Sequence, residues 1–162
     1  SNRVKKKYLV YFIGKGNINF LEELKNKIKN LFLQNNFIFT GYLNKDSREI
    51  IANFDLLISP TREFEGFGLS IAESLSVGTP VISTKVGGVL DYLNKNNSIL
   101  IKAKNPKIIA DSLELFLNNK NKYRKKALIG KKTIQNYYSA NIMTKKYFSH
   151  FQKFEIKNTE SS

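Results

Sequence analysis

The stretch Glu65-Gly-Phe-Gly-Leu-Ser-Ile-Ala-Glu73 follows the apolar run Asp55-Leu-Leu-Ile-Ser59 and opens a helical pattern. Gly66 and Gly68 have no Cβ, so the backbone there can turn sharply and approach a ligand closely. The helix that Gly68 opens leaves its first amides unpaired and carries a partial positive charge at that end. The stretch therefore predicts a strand, a tight loop and a helix N-terminus that suits a diphosphate or sugar oxygens.

Two glutamates bracket this stretch. Glu73 lies about one and a half turns into the predicted helix, where an ionised carboxylate can accept from two adjacent hydroxyls of a ribose. Glu65 precedes the loop and can accept from hydroxyls of a group attached to the diphosphate. From the residues alone a plainer interpretation stays open, with Glu73 an ordinary helix position and Glu65 an acid favoured by the helix dipole.

Strands alternate with helical patterns outward from this stretch. The first strand, Tyr8-Leu-Val-Tyr-Phe-Ile13, is continuously apolar, which predicts burial on both faces. The alternation predicts an α/β fold with a Rossmann-like parallel sheet of about five strands, flanked by helices, with extra C-terminal helices. Strands are expected near 8–13, 37–40, 55–59, 80–83 and 98–101, and helices near 19–33, 47–53, 68–77, 89–94, 106–118, 121–137 and 141–153. The first helix has an apolar stripe that includes Leu31, Asp46 is expected to cap the second, and Gly78 is expected to end the third. A single domain is expected over 1–157, with a tail over 158–162.

Four glycine-containing features follow predicted strands. They are Gly14-Lys15-Gly16, Gly41-Tyr42-Leu43, the Glu65 loop and Gly87-Gly88. In open parallel sheets the ligand binds outside the carboxyl ends of the strands. We therefore expect the four features to share one rim.

The composition excludes several kinds of chemistry. The 162 residues include no cysteine and one histidine, His150, so disulfides, thiolate catalysis and multi-histidine metal sites are excluded, and His150 is expected to be structural or on the surface. The sequence lacks a run of eighteen apolar residues and an apolar signal-peptide core, which predicts a cytoplasmic location, with peripheral association at the inner membrane face an alternative.

The charge is strongly basic, at +14, and uneven. Residues 118–157 carry eleven Lys and Arg and one acid, Glu155. Such a field favours anionic partners, whereas coding bias toward Lys and Asn explains it without a function. Aromatic residues lie among the lysines there, so a membrane surface or a nucleic acid is an open alternative partner. The favoured interpretation is that these aromatics pack the last helices onto the sheet or onto another domain; they are Tyr137, Tyr138, Tyr147, Phe148, Phe151 and Phe154.

The run from Leu57 to Tyr92 resembles the C-terminal, donor-binding domain of the group 1 retaining glycosyltransferases of GT-B fold. The segments that carry the resemblance are, in order, Glu65-Gly66-Phe67-Gly68, Glu73, Gly78-Thr-Pro80-Val-Ile82 and Gly87-Gly88-x-x-Asp91. The resemblance extends more loosely from about Tyr8 to the final helices, and so covers most of the chain.

The resemblance implies transfer of a hexose from a UDP- or GDP-sugar to a bacterial polysaccharide or glycolipid acceptor. Glu65 would be the catalytic-site residue close to the reacting carbon, and Glu73 would hold the ribose. The other implied donor-binding residues are Gly66, Phe67, Gly68 and Leu69 for the diphosphate and sugar, Gly41, Tyr42 and Leu43 for the nucleobase, and Gly14 and Lys15 for the same crevice. The family works without a tightly bound metal, so the resemblance implies no cofactor, and the UDP- or GDP-linked sugar is the donor substrate; the sequence contains no Asp-x-Asp.

The sequence departs from the family pattern at its start. A complete enzyme adds an acceptor-binding domain, and its donor domain usually begins with another strand and a loop bearing an Arg and a Lys for the diphosphate; neither fits into residues 1–7. We therefore expect the chain to be inactive alone, with an acceptor domain or partner chain, or an oligomer, completing it. The remaining strands either close up or leave a gap for another chain, and Arg62 is an alternative phosphate contact. A non-catalytic nucleotide-sugar-binding or interaction module is the alternative function.

Overall fold

The structure is a computed structural model that describes residues 8–159, with side chains described over residues 8–152. It consists of two compact units that divide between Lys45 and Asp46. The single domain over 1–157 stays a prediction.

The N-terminal unit is a βαβ segment. It contains β1 (Val10–Ile13), α1 (Ile18–Asn30), a 3-10 turn (Gln34–Asn36) and β2 (Phe37–Gly41), and β1 and β2 pair in parallel. The Asn17 side chain caps α1 by accepting from the N–H groups of Asn19 and Phe20. The helix ends three residues before the predicted limit of 33, because the chain turns into the left-handed region at Phe32, with φ of 55°. Leu31, predicted to lie on the apolar stripe, is exposed as a result.

The burial predicted for β1 is wrong. All four of its residues are exposed, from 38% at Val10 to 43% at Ile13. A strand is buried on both faces only when neighbouring strands and helices cover it, and within residues 8–45 of this unit β1 pairs with β2 alone. The N-terminal unit is therefore a small sheet whose apolar side chains are incompletely covered.

The C-terminal unit contains a second parallel sheet, with strand order β3-β4-β5. Its elements are α2 (Ser47–Ile51), β3 (Leu57–Ser59), α3 (Leu69–Val77), β4 (Val81–Thr84), a 3-10 helix (Gly87–Asp91), β5 (Ile99–Ile101), α4 (Pro106–Asn118), α5 (Lys120–Tyr137) and α6 (Ala140–Thr159). Parallel strands flanked by helices confirm the predicted α/β class. The five strands form sheets of two and three. Residues 158 and 159 of the predicted tail belong to α6, and residues 160–162 lie outside the described residues.

The core of the C-terminal unit lies between β4 and α3. Every residue of β4 is buried, and Ile71 and Leu75 of α3 have no exposed surface. Gly130 lets α5 approach α3 closely, because a Cβ at this position would lie 2.6 Å from Leu75 Cδ2. Left-handed glycines, Gly68 and Gly78, bound α3 at its two ends, as the sequence predicted. The Asp46 carboxylate caps α2, also as predicted, by accepting from the Arg48 N–H at 2.9 Å.

The aromatic side chains of the last two helices cover little of the sheet, which was one of the two packing arrangements predicted for them. Tyr138 is half-buried against the core, but the others with described side chains do not cover the sheet. Exposed aromatics here are Tyr137, Tyr147, Phe148 and Phe151, and the side chain of Phe154 lies outside the described ones. Packing onto another domain stays a prediction. Across the described residues, every helix is too short or too polar to span a membrane.

Candidate donor site

The Glu65 side chain is held by a relay that begins on β4. The buried Thr84 hydroxyl donates to the backbone oxygen of Thr61 at 2.7 Å, and the Thr61 hydroxyl donates to Glu65 Oε2 at 3.2 Å. Glu65 is half-buried. A strand of the core thereby sets the orientation of the carboxylate for which the resemblance implies a place near the reacting carbon. Thr61 was not predicted, because its hydroxyl meets its partner only once the loop is folded.

Gly87 and Gly88 lie directly against the Glu65 loop. The Gly88 N–H donates to the Glu65 backbone oxygen at 2.9 Å. A Cβ at Gly87 would lie 2.0 Å from that oxygen, and a Cβ at Gly88 would lie 2.2 Å from the Gly66 oxygen. Gly87 also has a φ of +64°, which favours glycine on its own account. Glycine is therefore required at both positions for the 87–88 backbone to contact the backbone of the Glu65 loop.

Tyr92 holds the next part of the loop. Its side chain is 2% exposed, and its hydroxyl donates to the Phe67 backbone oxygen at 2.6 Å and lies 3.2 Å from the Gly68 oxygen. Burial raises the pKa of Tyr92, and the charge of Glu65 and the neighbouring Tyr138 raise it further, so the hydroxyl stays a donor. Sequence reasoning missed Tyr92. A tyrosine in an apolar segment indicates a core position. The sequence does not indicate its hydrogen-bond acceptor, which is 25 residues away in the chain.

An aromatic cluster surrounds this contact. The rings of Phe67 and Tyr92 are 5.1 Å apart between centroids, and the Tyr138 ring is 5.9 Å and 5.5 Å from them. The Tyr138 hydroxyl donates at 2.9 Å to the backbone oxygen of Asp91. The exposed Asp91 carboxylate takes no part in these contacts.

The N-terminus of α3 faces the loop without a side-chain cap. Gly68, at its N-cap, has a φ of 71°, and its oxygen accepts from the N–H groups of Ile71 and Ala72. The N–H groups of Leu69 and Ser70 have no acceptor within the helix. The end of α3 therefore presents amides and a partial positive charge, which is suited to an anion.

Glu73 is half-buried on α3, on the side that packs against α2. Arg48 of α2 lies within the field of its charge: Asp46 chiefly raises the pKa of Arg48, and Glu73 adds to the increase. The Glu73 carboxylate is thus outside the apolar core and can accept from ligand hydroxyls. Sequence reasoning did not predict that Arg48 would be close to it.

The predicted residues of the N-terminal unit lie at the carboxyl ends of its strands. The Gly14 N–H donates to the Gly41 oxygen at 2.9 Å, and both glycines have positive φ, 111° and 64°. Lys15 and Tyr42 are exposed and Leu43 is half-buried. The structure thus brings Gly14 next to Gly41 in one unit and the Glu65 loop next to Gly87-Gly88 in the other. That all four features share one rim stays a prediction.

The described part of the chain contains no group of three or more His, Cys, Asp and Glu side chains placed to hold a metal ion.

Family models identify the chain. Residues 2–133 match the model of the glycosyl transferases group 1, and the chain belongs to this family. The match includes both the glycine-rich loop of Glu65 and the 87–92 segment against it. The resemblance stated from the sequence is therefore confirmed.

Curated relatives are similar at moderate identity. An alpha-1,3/1,6-mannosyltransferase, ALG2, of Dictyostelium discoideum is 29% identical over 82% of this chain and 33% of its own length. A lipopolysaccharide core biosynthesis mannosyltransferase, LpsB, of Rhizobium meliloti is 27% identical over 62% of this chain and 29% of its own. The chain thus spans about a third of the length of such relatives.

Solved structures share the fold. Anabaena HepE, crystallised with UDP and glucose, superposes with a TM-score of 0.83 at 20% identity, over 89% of this chain and 40% of that one. The C-terminal domain of a group 1 family glycosyl transferase, LpcC, from Francisella tularensis has a TM-score of 0.68 at 25% identity, over 76% of this chain and 64% of that one. Both agree with a Rossmann-like domain of GT-B fold.

Proposed function

We propose that this chain is the nucleotide-sugar-binding half of a retaining glycosyltransferase, and that it binds a UDP- or GDP-linked hexose. The observation that carries the proposal is the Glu65–Gly68 loop at the uncapped N-terminus of α3, with Glu73 further along the same helix. The loop amides bind the diphosphate, Glu73 accepts from the ribose hydroxyls, and Glu65 lies at the sugar. Crystals of Anabaena HepE with UDP-glucose support this class of ligand.

Charge stabilisation of the departing diphosphate is assigned to the backbone. The positive end of α3 and the loop amides supply it without a resident metal, in line with the family resemblance. A full-length enzyme containing this chain is expected to keep its rate when EDTA replaces divalent ions. Loss of turnover on EDTA, restored by Mg²⁺, would contradict this part of the proposal.

Transfer requires an acceptor-binding part that the 162 residues do not supply. The chain spans about a third of the length of the curated relatives. We assign the exposed face of α6 as the surface that contacts the acceptor-binding part. This face presents the apolar side chains of Met143, Tyr147 and Phe151 at four-residue spacing. Purified chain is expected to bind donor without transferring sugar. Steady turnover to an added acceptor would show that the chain is a complete enzyme.

The binding experiment is calorimetry with UDP-glucose and GDP-mannose. Glu73→Ala is expected to weaken binding by about tenfold or more, because charge-assisted hydrogen bonds to two hydroxyls are lost. Glu114→Ala removes an exposed glutamate from α4 and is the matched control, with affinity expected to be unchanged. Absence of binding by either nucleotide sugar would favour an interaction module that has lost the site.

A further inference from the structure

Three consecutive carbonyl groups of the Glu65–Gly68 loop are turned to one side. The Glu65 oxygen accepts from the Gly88 N–H, the Gly66 oxygen lies against Gly88, and the Phe67 oxygen accepts from the Tyr92 hydroxyl. The partners belong to the 87–92 segment. Glu65, Gly66 and Phe67 thus direct their carbonyls toward one short piece of chain.

The orientation of the amides follows from this. The described residues contain no cis peptide bond, and in a trans peptide the C=O of one residue points opposite to the N–H of the next. The N–H groups of Gly66, Phe67 and Gly68 must therefore point away from the 87–92 segment. Among the described residues, none of these three groups donates a hydrogen bond. The result is a row of three donors on the outer side of the loop, continued by the N-terminus of α3.

We propose that the Tyr92 hydroxyl is a positioning group for diphosphate binding, since by anchoring the Phe67 carbonyl it aims the Gly68 N–H at the phosphate oxygens. This inference rests on the proposed donor site and adds a residue to it. Tyr92 does not touch the ligand; it acts through the peptide plane between Phe67 and Gly68. Gly88 makes the equivalent contact to Glu65, but through its backbone, so Tyr92 is the part of the anchor that a side-chain substitution can remove.

Geometry explains why a tyrosine is suited to this position. The ring is packed between Phe67 and Tyr138, which fixes where the hydroxyl ends, and a buried hydroxyl needs a hydrogen-bond partner. In Tyr92→Phe the ring stays while the Phe67 oxygen loses its donor. The peptide plane between Phe67 and Gly68 then has no hydrogen-bond partner among the described residues, so its orientation is less restrained.

The experiment compares each nucleoside diphosphate with its nucleoside, using UDP with uridine and GDP with guanosine. In Tyr92→Phe, we expect the diphosphate that the wild-type chain binds to lose about five- to tenfold in affinity while its nucleoside is unaffected, since the nucleoside lacks the group that the amides bind. Tyr138→Phe is the matched control: it removes a hydroxyl from the same cluster that anchors Asp91 instead of the loop. Affinities for both ligands are expected to be unchanged in it.

The comparison within one variant separates positioning from stability. Partial unfolding lowers diphosphate and nucleoside binding alike, so an equal loss for both, or no loss for either, would overturn the role of Tyr92. If the wild-type chain binds neither UDP nor GDP, the proposed function fails, and Tyr92 is then judged without ligand. In that case, nuclear magnetic resonance of the chain without ligand is the test. The amide resonances of Gly66–Leu69 are expected to shift in Tyr92→Phe and to stay in place in Tyr138→Phe. Unchanged resonances in both variants would show that the Tyr92 hydroxyl does not orient the loop.

Discussion

β1 and β4 are short parallel strands of similar length that lie in different surroundings. Val10-Tyr-Phe-Ile13 and Val81-Ile-Ser-Thr84 are both four-residue parallel strands, and the first is the more apolar of the two. Yet every residue of β4 is buried and every residue of β1 is exposed. β4 has a strand on each side and α3 across it, whereas β1 has one neighbouring strand among the residues that the structure describes. The burial of a strand thus depends on the strands and helices packed around it. Its hydrophobicity makes such packing energetically favourable but does not supply it.

The largest expected effect tests this contrast with one substitution in each strand. Ile82→Ala removes a side chain with no exposed surface and is expected to lower the free energy of unfolding by roughly 2–5 kcal/mol, through lost transfer free energy and the cavity left behind. Ile13→Ala, at a position 43% exposed, is expected to cost less than about 1.5 kcal/mol. Urea unfolding followed by circular dichroism measures both. Equal losses would mean that β1 is as well covered as β4.

A second prediction contrasts two glycines. Gly87→Ala places a Cβ against the Glu65 oxygen at a positive φ, so it is expected to cost about 1–3 kcal/mol and to displace the loop. Gly16→Ala in the N-terminal unit meets no atom within 4 Å and is expected to be within about 1 kcal/mol of the wild type. Thermal melts compare the two variants. An unchanged melting temperature in Gly87→Ala would show that the backbone contact between Gly87 and Glu65 can accommodate a Cβ, against this prediction.

The smallest effect concerns a surface contact. The Arg48 side chain, and then its backbone N–H, hold the pKa of Asp46 at about 2, below its ordinary value of 3.8. Because the pKa is lower in the folded chain, the carboxylate adds stability above about pH 4 and loses it as the pH falls toward 2. Nuclear magnetic resonance titration of the Asp46 carboxyl gives the midpoint. A midpoint near 4 would mean that the pair with Arg48 does not form in solution.

Local chemistry was predictable from the sequence, and contacts between distant segments were not. The caps of α3 at Gly68 and Gly78, and of α2 at Asp46, were predicted because a cap depends on residues within one turn of it. The glycine-rich loop was placed correctly after β3 for the same reason. The exposure of β1 was missed, since it depends on the number of neighbouring strands. The Tyr92 contact was missed because one sequence does not reveal which carbonyl a buried hydroxyl will reach.

The joint between the Glu65 loop and Gly87-Gly88 is made of main chain on both sides. Its geometry therefore does not depend on which side chains the loop carries, as long as the two glycines remain. Residues such as Arg62 and Phe64 are exposed, and can be exchanged without moving the joint. In a mutational library, the chemistry presented at this surface can thus diversify while its framework stays constant.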